Sequence, residues 1–91
     1  MRMVDRSQEL AAVKGNPFRA GAMRNAYAEC VAAHRRNSPA LQRTSGNSVA
    51  YYFWRGYDNT PIRWDAESRK LMAYAQYRAG QYCAKLDQEI V

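Results

Sequence analysis

The chain has 91 residues, which suits one small domain but leaves little room for an enclosed substrate pocket beside a hydrophobic core. Its formal net charge is +6, from 14 Lys and Arg against 8 Asp and Glu, and this excess favours an anionic partner such as RNA or an acidic protein surface. Two cysteines are too few for a disulfide scaffold, and no stretch is long and apolar enough to span a membrane.

A short first helix is predicted over about residues 5–14. Asp5 and Gln8 have the spacing of a capping box, and Gly15 supplies a stop signal. A helix of about 10 residues needs packing against other elements to persist. Because residues 1–6 lack the apolar run of a signal peptide, we expect a cytoplasmic protein.

The second predicted helix begins either at Asn16, a capping residue followed by proline, or near Ala20 if residues 16–21 form an extended loop. It should end near Arg36 or Asn37, because Ser38 precedes a proline and such residues avoid the helical region. Its apolar face repeats at helical spacing: Met23, Tyr27, Cys30, Val31 and His34.

Residues 37–47 are predicted to form the main loop, which is polar and a candidate for functional contacts. A third helix is predicted over about 48–57, capped by Ser45 or Asn47. Val49, Tyr52, Phe53 and Gly56 form one face of it. Five aromatic residues within seven positions also fit a strand on propensity alone. We favour a helix because a related segment lies in the last predicted helix. A turn cluster follows over residues 58–61.

The last predicted helix runs from its cap Asp65 to about Gln88. Gly80 inside it costs about 1 kcal/mol relative to Ala, so we expect a backbone or ring from the third helix to pack against it. Cys30 and Cys83 lie on apolar stripes, which predicts two reduced thiols in the core. The stripe of the last helix is Leu71, Met72, Ala75, Ala79, Tyr82, Cys83 and Leu86.

An aromatic–Arg–Gly unit occurs three times, over residues 18–21, 54–56 and 77–80. The second and third copies extend backwards, because Ala50-Tyr51-x-x-Trp54-Arg55 matches Ala73-Tyr74-x-x-Tyr77-Arg78 at a spacing of 23 residues. An aromatic face beside a planar cation can stack on bases or pair with phosphate, and a glycine lets another backbone approach. The unit is therefore either a binding element or a device for packing helices.

Catalysis is poorly supported by the residues. The chain has one histidine, and no nucleophile elbow, glycine-rich phosphate loop or metal-ligand spacing is visible. His34 is interpreted as a helix-end residue that interacts with terminal carbonyls, and Glu67 and Asp87 as parts of a solvated face. We predict a protein that is not an enzyme and has no catalytic residues, metal site or cofactor.

The charge excess lies entirely between residues 10 and 57, where seven cations face one acid. From residue 58 to the end, five cations balance five acids. A basic half often marks an anionic partner, although it also fits a solvated surface that keeps a small protein soluble. The predicted binding residues are Arg19, Arg24, Arg35, Arg36, Arg43, Trp54, Arg55 and Tyr57.

Two segments, residues 50–58 and 74–80, resemble the ribosome modulation factor family. Its small basic members carry aromatic-x-x-Gly and Gly-Trp-Arg runs on short helices, and small phage-encoded proteins also use such segments. The resemblance implies binding to the small ribosomal subunit near its rRNA and silencing of translation. Only the aromatic, Arg and Gly positions of the two segments carry over to this chain.

Together these observations predict a single all-α domain over residues 1–91, with three or four helices. The leading hypothesis is a small binding protein that docks on rRNA, the ribosome or another nucleic-acid complex and inhibits it. One alternative is a phage-type inhibitor that binds an acidic host protein surface or blocks a nucleic-acid groove. A second alternative is a structural protein that forms homo-oligomers through exposed aromatic residues.

Overall fold

A computed structural model describes Phe18, residues 21–62 and residues 71–90. This part of the chain is all-α, as predicted, with helices α1 (Gly21–Arg35), α2 (Ser48–Tyr57) and α3 (Leu71–Ile90). A 3-10 turn, Pro39–Leu41, lies in the loop between α1 and α2. The predicted first helix, Arg19 and the predicted cap Asp65 lie outside the described residues.

Helix α1 ends where the sequence predicts, and an asparagine closes it. Asn37 has a φ of 55°, the left-handed conformation that Asn tolerates better than most residues. Its N–H donates to the carbonyl of His34, and the N–H of Ser38 donates to the carbonyl of Ala33. This pair of bonds is the Schellman arrangement, which satisfies the last carbonyls of a helix.

Helix α2 confirms the helical interpretation of the aromatic segment, and it is capped at both ends. The side chain of Asn47 accepts from the N–H of Ala50 at 2.8 Å, so Asn47 rather than Ser45 is the N-cap. At the other end Asn59 has a φ of 57° and repeats the Schellman arrangement, with the N–H of Thr60 donating to the carbonyl of Arg55. The segment after α2 is the predicted turn.

Helix α3 is the central element, because it packs against both α1 and α2. Much of the core is alanine, which lets helices approach closely, and the largest fully buried side chains are Phe53, Val31 and Cys83. Two residues of the predicted apolar stripes differ from expectation: Val49 and Met72 are exposed. Ala73 and Tyr77 are buried in addition to the predicted positions of α3, because α3 has neighbours on two sides.

Two glycines form the crossing of α2 and α3. A Cβ added to Gly80 would overlap the carbonyl oxygen of Phe53 and would lie 2.7 Å from the nitrogen of Tyr57. A Cβ added to Gly56 would overlap the carbonyl oxygen of Tyr77. Gly80 therefore lies against the backbone of α2 at Phe53, three positions before Gly56. Gly56 lies against the backbone of α3 at Tyr77, three positions before Gly80. The prediction that Gly80 is a packing position is confirmed.

Both cysteines are buried, free thiols, as the sequence predicts for core residues. Burial raises the pKa of Cys30 to about 12, and the nearby charge of Glu29 acts in the same direction. Burial also raises the pKa of Cys83 to about 12. The two thiols therefore stay protonated at neutral pH and behave as small apolar groups.

Candidate binding surface

Arg43, in the loop before α2, lies on the outer face of that helix. Its guanidinium carbon is 4.2 Å from the ring centroid of Trp54, within the range of a cation–π contact. Its two terminal nitrogens donate to the two carboxylate oxygens of Asp58, each at 2.8 Å. This bidentate hydrogen bonding lowers the pKa of Asp58 and raises the pKa of Arg43, so the pair stays ionised.

Trp54 is held in place from several sides. Its indole N–H donates to the carbonyl of Leu41 at 2.6 Å, which ties the 3-10 turn to α2. Its ring lies 4.7 Å from that of Tyr57 and 5.6 Å from that of His34, measured between centroids. Arg43 covers one face of the same ring. Trp54 is thus a half-buried anchor between loop and helix.

Asp87 connects the three helices at this end of the molecule. Its carboxylate accepts a hydrogen bond from the hydroxyl of Tyr57 on α2, and the same oxygen lies 2.9 Å from Nε2 of His34 on α1. Both bonds lower the pKa of Asp87, and the bond from Tyr57 has the larger effect. In return, the carboxylate raises the pKa of Tyr57 to about 12. Asp87 is therefore a helix-linking acceptor and not only part of a solvated face. His34 lies in the last turn of α1, as predicted, but its ring bonds to this carboxylate and not to the terminal carbonyls of the helix.

The second and third copies of the repeated unit each carry an aromatic–cation pair at i, i+4 spacing. The guanidinium of Arg55 lies 5.2 Å from the ring centroid of Tyr51, and that of Arg78 lies 5.9 Å from the ring centroid of Tyr74. Both tyrosines are exposed, at 47% and 36% of their surface. This geometry follows from the α-helix, because residues four apart lie on the same face.

An open hollow of about 310 Å³ lies between α2 and the loop before it. Ala50 forms part of its buried floor, and Arg43 and Gly46 contribute from the loop. The remaining lining residues come from α2, its two flanking positions and the following turn: Asn47, Tyr51, Trp54, Arg55, Asp58 and Thr60. The hollow therefore brings three of the predicted residues together, namely Arg43, Trp54 and Arg55.

Three other predicted residues lie on α1 or at its end. Arg24, Arg35 and Arg36 are exposed and form no ion pair within residues 21–62 and 71–90. Arg36 lines a second, larger depression of about 770 Å³, which also includes the exposed Val49 and Met72. Asn47 lines both depressions, so the two adjoin. Tyr57 lies beside the hollow in the aromatic cluster, and Arg19 lies outside the described residues.

The structure gives functional contacts to three residues that the sequence analysis did not predict as site residues: Tyr51 and Asp58 at the hollow, and Asp87 at the junction of the three helices. Tyr51 had a signal in the sequence, because it stands four residues before Arg55 on one helix. Asp58 also stands four residues after Trp54, but its partner Arg43 comes from a loop whose path the sequence does not determine. Asp87 is 53 positions from His34, and only the packing of the helices brings them together.

Comparisons with known proteins found no matching family model, and no curated protein or solved structure of significant similarity. Among the residues that the structure describes, no helix combines the length and apolar character needed to cross a bilayer. The same residues contain no group of three or more His, Cys, Asp or Glu side chains placed to hold a metal ion.

Proposed function

We propose that this chain is a small, non-enzymatic binding protein that docks on rRNA or another nucleic-acid complex and inhibits it. The observation that carries the proposal is the outer surface of α2 and its loop, where Arg43 and Arg55 lie over aromatic rings around an open hollow. Planar cations and aromatic faces are what single-stranded nucleic acid binds, through phosphates and stacked bases.

The exposed arginines of α1 support the same proposal. Arg24, Arg35 and Arg36 have no acidic partner among the described residues, so their charge is available to an anionic ligand. Arginine binds phosphate through two parallel hydrogen bonds, which lysine does not. Cationic side chains at the C-terminal end of a helix also interact favourably with its dipole, so their presence costs the fold little.

Co-sedimentation with purified small ribosomal subunits, at about 50 and about 200 mM salt, tests the proposal, because binding through phosphates weakens steeply over this range. A cell-free translation assay with the same protein measures inhibition. Reversing Arg35 and Arg36 to Glu should weaken binding at least about tenfold, which corresponds to about 1.4 kcal/mol. The double reversal of Arg69 and Lys70, in the charge-balanced half of the sequence, is the control and should weaken binding less.

Two results would count against this function. Binding that does not change with salt would exclude a phosphate-dominated interface. Equal losses from the two double reversals would show that the basic half of the chain does not locate the contact. Absence of binding by the unmodified protein, to ribosomal subunits and to extracted rRNA alike, would refute the proposal outright.

A second function, inhibition of a host protein by a phage-type binding protein, is favoured by one observation. Asp58 already neutralises Arg43, so the hollow carries both signs of charge, as protein–protein contacts commonly do. A capture experiment from lysate, with and without nuclease, separates the two functions. A stoichiometric protein complex that survives nuclease treatment supports the second function, and a complex lost on treatment supports the first.

A further inference from the structure

The hollow on α2 has the features of a site for one flat, polar ring. Tyr51 is 47% exposed, the guanidinium of Arg55 lies over its ring at 5.2 Å from the centroid, and the ring of Tyr52 contacts it edge-to-face at 4.9 Å. The volume of about 310 Å³ is near the lower limit of small-ligand pockets, which span roughly 300–1,000 Å³. There is room for one base, and the rest of a nucleic-acid chain would have to lie outside.

The polar groups around this ring include both donors and an acceptor. The guanidinium groups of Arg43 and Arg55 carry only donors. One terminal nitrogen of Arg55 donates to the carbonyl of Pro61 at 3.3 Å and its Nε is buried, so its second terminal nitrogen is the one with donors to offer a ligand. Asp58 provides acceptors, because an ionised carboxylate has about four lone-pair positions and Arg43 uses two of them. The amide of Asn47 is already committed to Ala50 and Ala40.

This combination of groups distinguishes a base from a phosphate. A phosphate placed beside Asp58 would meet a carboxylate of like charge, whereas a neutral base would not. Among the bases, guanine presents the acceptors O6 and N7 and the amino donor N2. Arginine donors and a carboxylate acceptor complement both sets at once. A cytosine or adenine amino group could bond to Asp58, but neither base offers the paired O6 and N7 acceptors that arginine prefers.

We propose that this hollow binds one unpaired base of single-stranded RNA, with its ring stacked on Tyr51 and guanine preferred. The inference rests on the proposed function and assigns a specific contact within it. Because Asn47 lines both depressions, the strand can continue from the hollow towards Arg36, which lines the larger one. On that side the lining carries the exposed Arg36, which has no ion-pair partner among the described residues, and one acid, Glu29, so phosphates would lie on the Arg36 side of the depression.

The chain contains its own matched control in the other copy of the repeated unit. Tyr74 and Arg78 form a similar exposed pair, and the guanidinium of Arg78 donates to the hydroxyl of Tyr74 at 3.2 Å. Neither residue lines the hollow. Substitutions at Tyr51 and Tyr74 therefore remove the same chemical group at positions four residues before an arginine, and only one of them belongs to the proposed site.

The test measures the anisotropy of short labelled RNAs, U-rich and unpaired, that carry a single central G, A, C or U. The purified full-length protein should bind the G-containing RNA most tightly. Tyr51→Ala should weaken this binding about tenfold or more, because a stacked base depends on the ring. Tyr51→Phe should retain binding, Tyr74→Ala should change it less than about twofold, and Asp58→Asn should remove the preference for G.

The outcomes distinguish this site from the proposed function. Equal losses from Tyr51→Ala and Tyr74→Ala, or none from either, would refute the hollow while RNA binding itself stands. Equal affinity for the four RNAs would refute the guanine preference. Binding to ribosomal subunits without binding to any of these RNAs would also refute the site. If the unmodified protein bound neither subunits nor RNA, the proposed function would fail and this site with it. Circular dichroism of each variant establishes that it is folded.

Discussion

The second and third copies of the repeated unit are alike on the inner side, where they pack against each other, and differ on the outer side, which faces solvent. On the inner side, Gly56 and Gly80 each lie against the backbone of the other helix, and Ala50 and Ala73 are both buried. On the outer side, the copy on α2 faces a loop that encloses a hollow, whereas Tyr74 and Arg78 line neither of the two depressions described above. The comparison indicates that the repeat is in part a packing device, and that the outer surface of each copy depends on what lies beside it.

The register of the two copies explains part of this difference. The tyrosines of the two pairs, Tyr51 and Tyr74, are 23 residues apart, whereas the glycines at positions 56 and 80 are 24 apart. The additional residue is Ala79, which separates Arg78 from the glycine of its own unit. One residue rotates a helical position by about 100°, from 3.6 residues per turn. The two glycines make equivalent contacts, but the tyrosine–arginine pairs therefore lie at different angles around their helices relative to those contacts.

The largest expected effect comes from filling the crossing. Gly80→Leu should reduce the free energy of unfolding by about 3 kcal/mol or more, at or above the usual range for overpacking, because backbone atoms of Phe53 and Tyr57 occupy the space. Gly56→Ala should be similarly costly, since its Cβ would overlap the carbonyl of Tyr77. Urea unfolding measures both.

Gly21 provides the control for this prediction. It belongs to the first copy of the unit, but among the described residues no atom beyond its own chain neighbours and helix backbone lies within 4 Å of the position its Cβ would take. Gly21→Ala should therefore be neutral or stabilising by up to about 1 kcal/mol, from helix propensity. If Gly80→Leu were no more destabilising than Gly21→Ala, the crossing would not be the shared feature of the two copies.

The next effect concerns the carboxylate that joins the three helices. Asp87→Ala removes the acceptor of Tyr57 and His34 and should cost about 1–2 kcal/mol, because both donors lose a charged partner at a partly exposed position. Glu89→Ala, exposed on the same helix, should stay within about 0.5 kcal/mol. Urea unfolding of both variants at neutral pH measures this difference.

The dependence of this effect on pH has a defined sign. The pKa of Asp87 is lowered in the folded state, so its contribution is present above the ordinary Asp pKa of about 3.9 and is lost as pH falls through the folded value. The stability difference between the unmodified protein and Asp87→Ala should therefore shrink in acid. A difference that stayed constant down to strongly acidic pH would show that the carboxylate is not the relevant group.

Local signals in the sequence predicted the described parts of the three helices well. Ser38 before a proline located the end of α1, Asn47 was one of two proposed caps for α2, and Gly80 indicated a close helix contact. Each of these signals acts within a few residues along the chain. The all-α class followed from the same local patterns, because apolar residues at helical spacing identify which face of a helix is buried.

The candidate site was less predictable, because its contacts join distant positions. The pairing of Arg43 with Asp58 spans 15 residues, and the path of the loop between them determines whether it forms. Periodicity also placed Val49 and Met72 on apolar faces, yet both are exposed. Periodicity shows that a helix has an apolar face but does not show how far its neighbours extend over it.

A smaller effect, seen only at alkaline pH, should come from the buried thiols. Burial raises the pKa of Cys30 and of Cys83 to about 12. The stability that the two protonated thiols contribute is therefore complete below the ordinary Cys pKa and is lost as the pH rises towards 12. The free energy of unfolding should therefore decline from about pH 8.5 upwards. Tyr27, whose pKa burial also raises to about 12, should add to the decline above about pH 10.

Single variants identify the source of this decline. Cys30→Ala and Cys83→Ala should each be less stable than the unmodified protein at neutral pH, because a buried group is removed. Each should nevertheless show a shallower decline between about pH 8.5 and pH 10, where tyrosine is still protonated. Urea unfolding at a series of pH values measures the slope. Identical slopes in all three proteins would place the titrating groups elsewhere.

The smallest effect on stability should come from the outer side of the α2 copy, at Arg43. Its ion pair with Asp58 is solvent-exposed, with 53% and 44% of the two side chains accessible, so Arg43→Ala should change the free energy of unfolding by less than about 1 kcal/mol. The substitution should still uncover the face of Trp54, which Arg43 covers at 4.2 Å. The chain has two tryptophans, so a Trp64→Phe background isolates the emission of Trp54, which should move to longer wavelength as water reaches the ring. Lys85→Ala, at an exposed position on α3, should alter neither quantity. If Arg43→Ala lowered the free energy of unfolding by several kcal/mol, this side of α2 would stabilise the fold as the glycine crossing does. The proposed difference between the inner and outer sides would then be wrong.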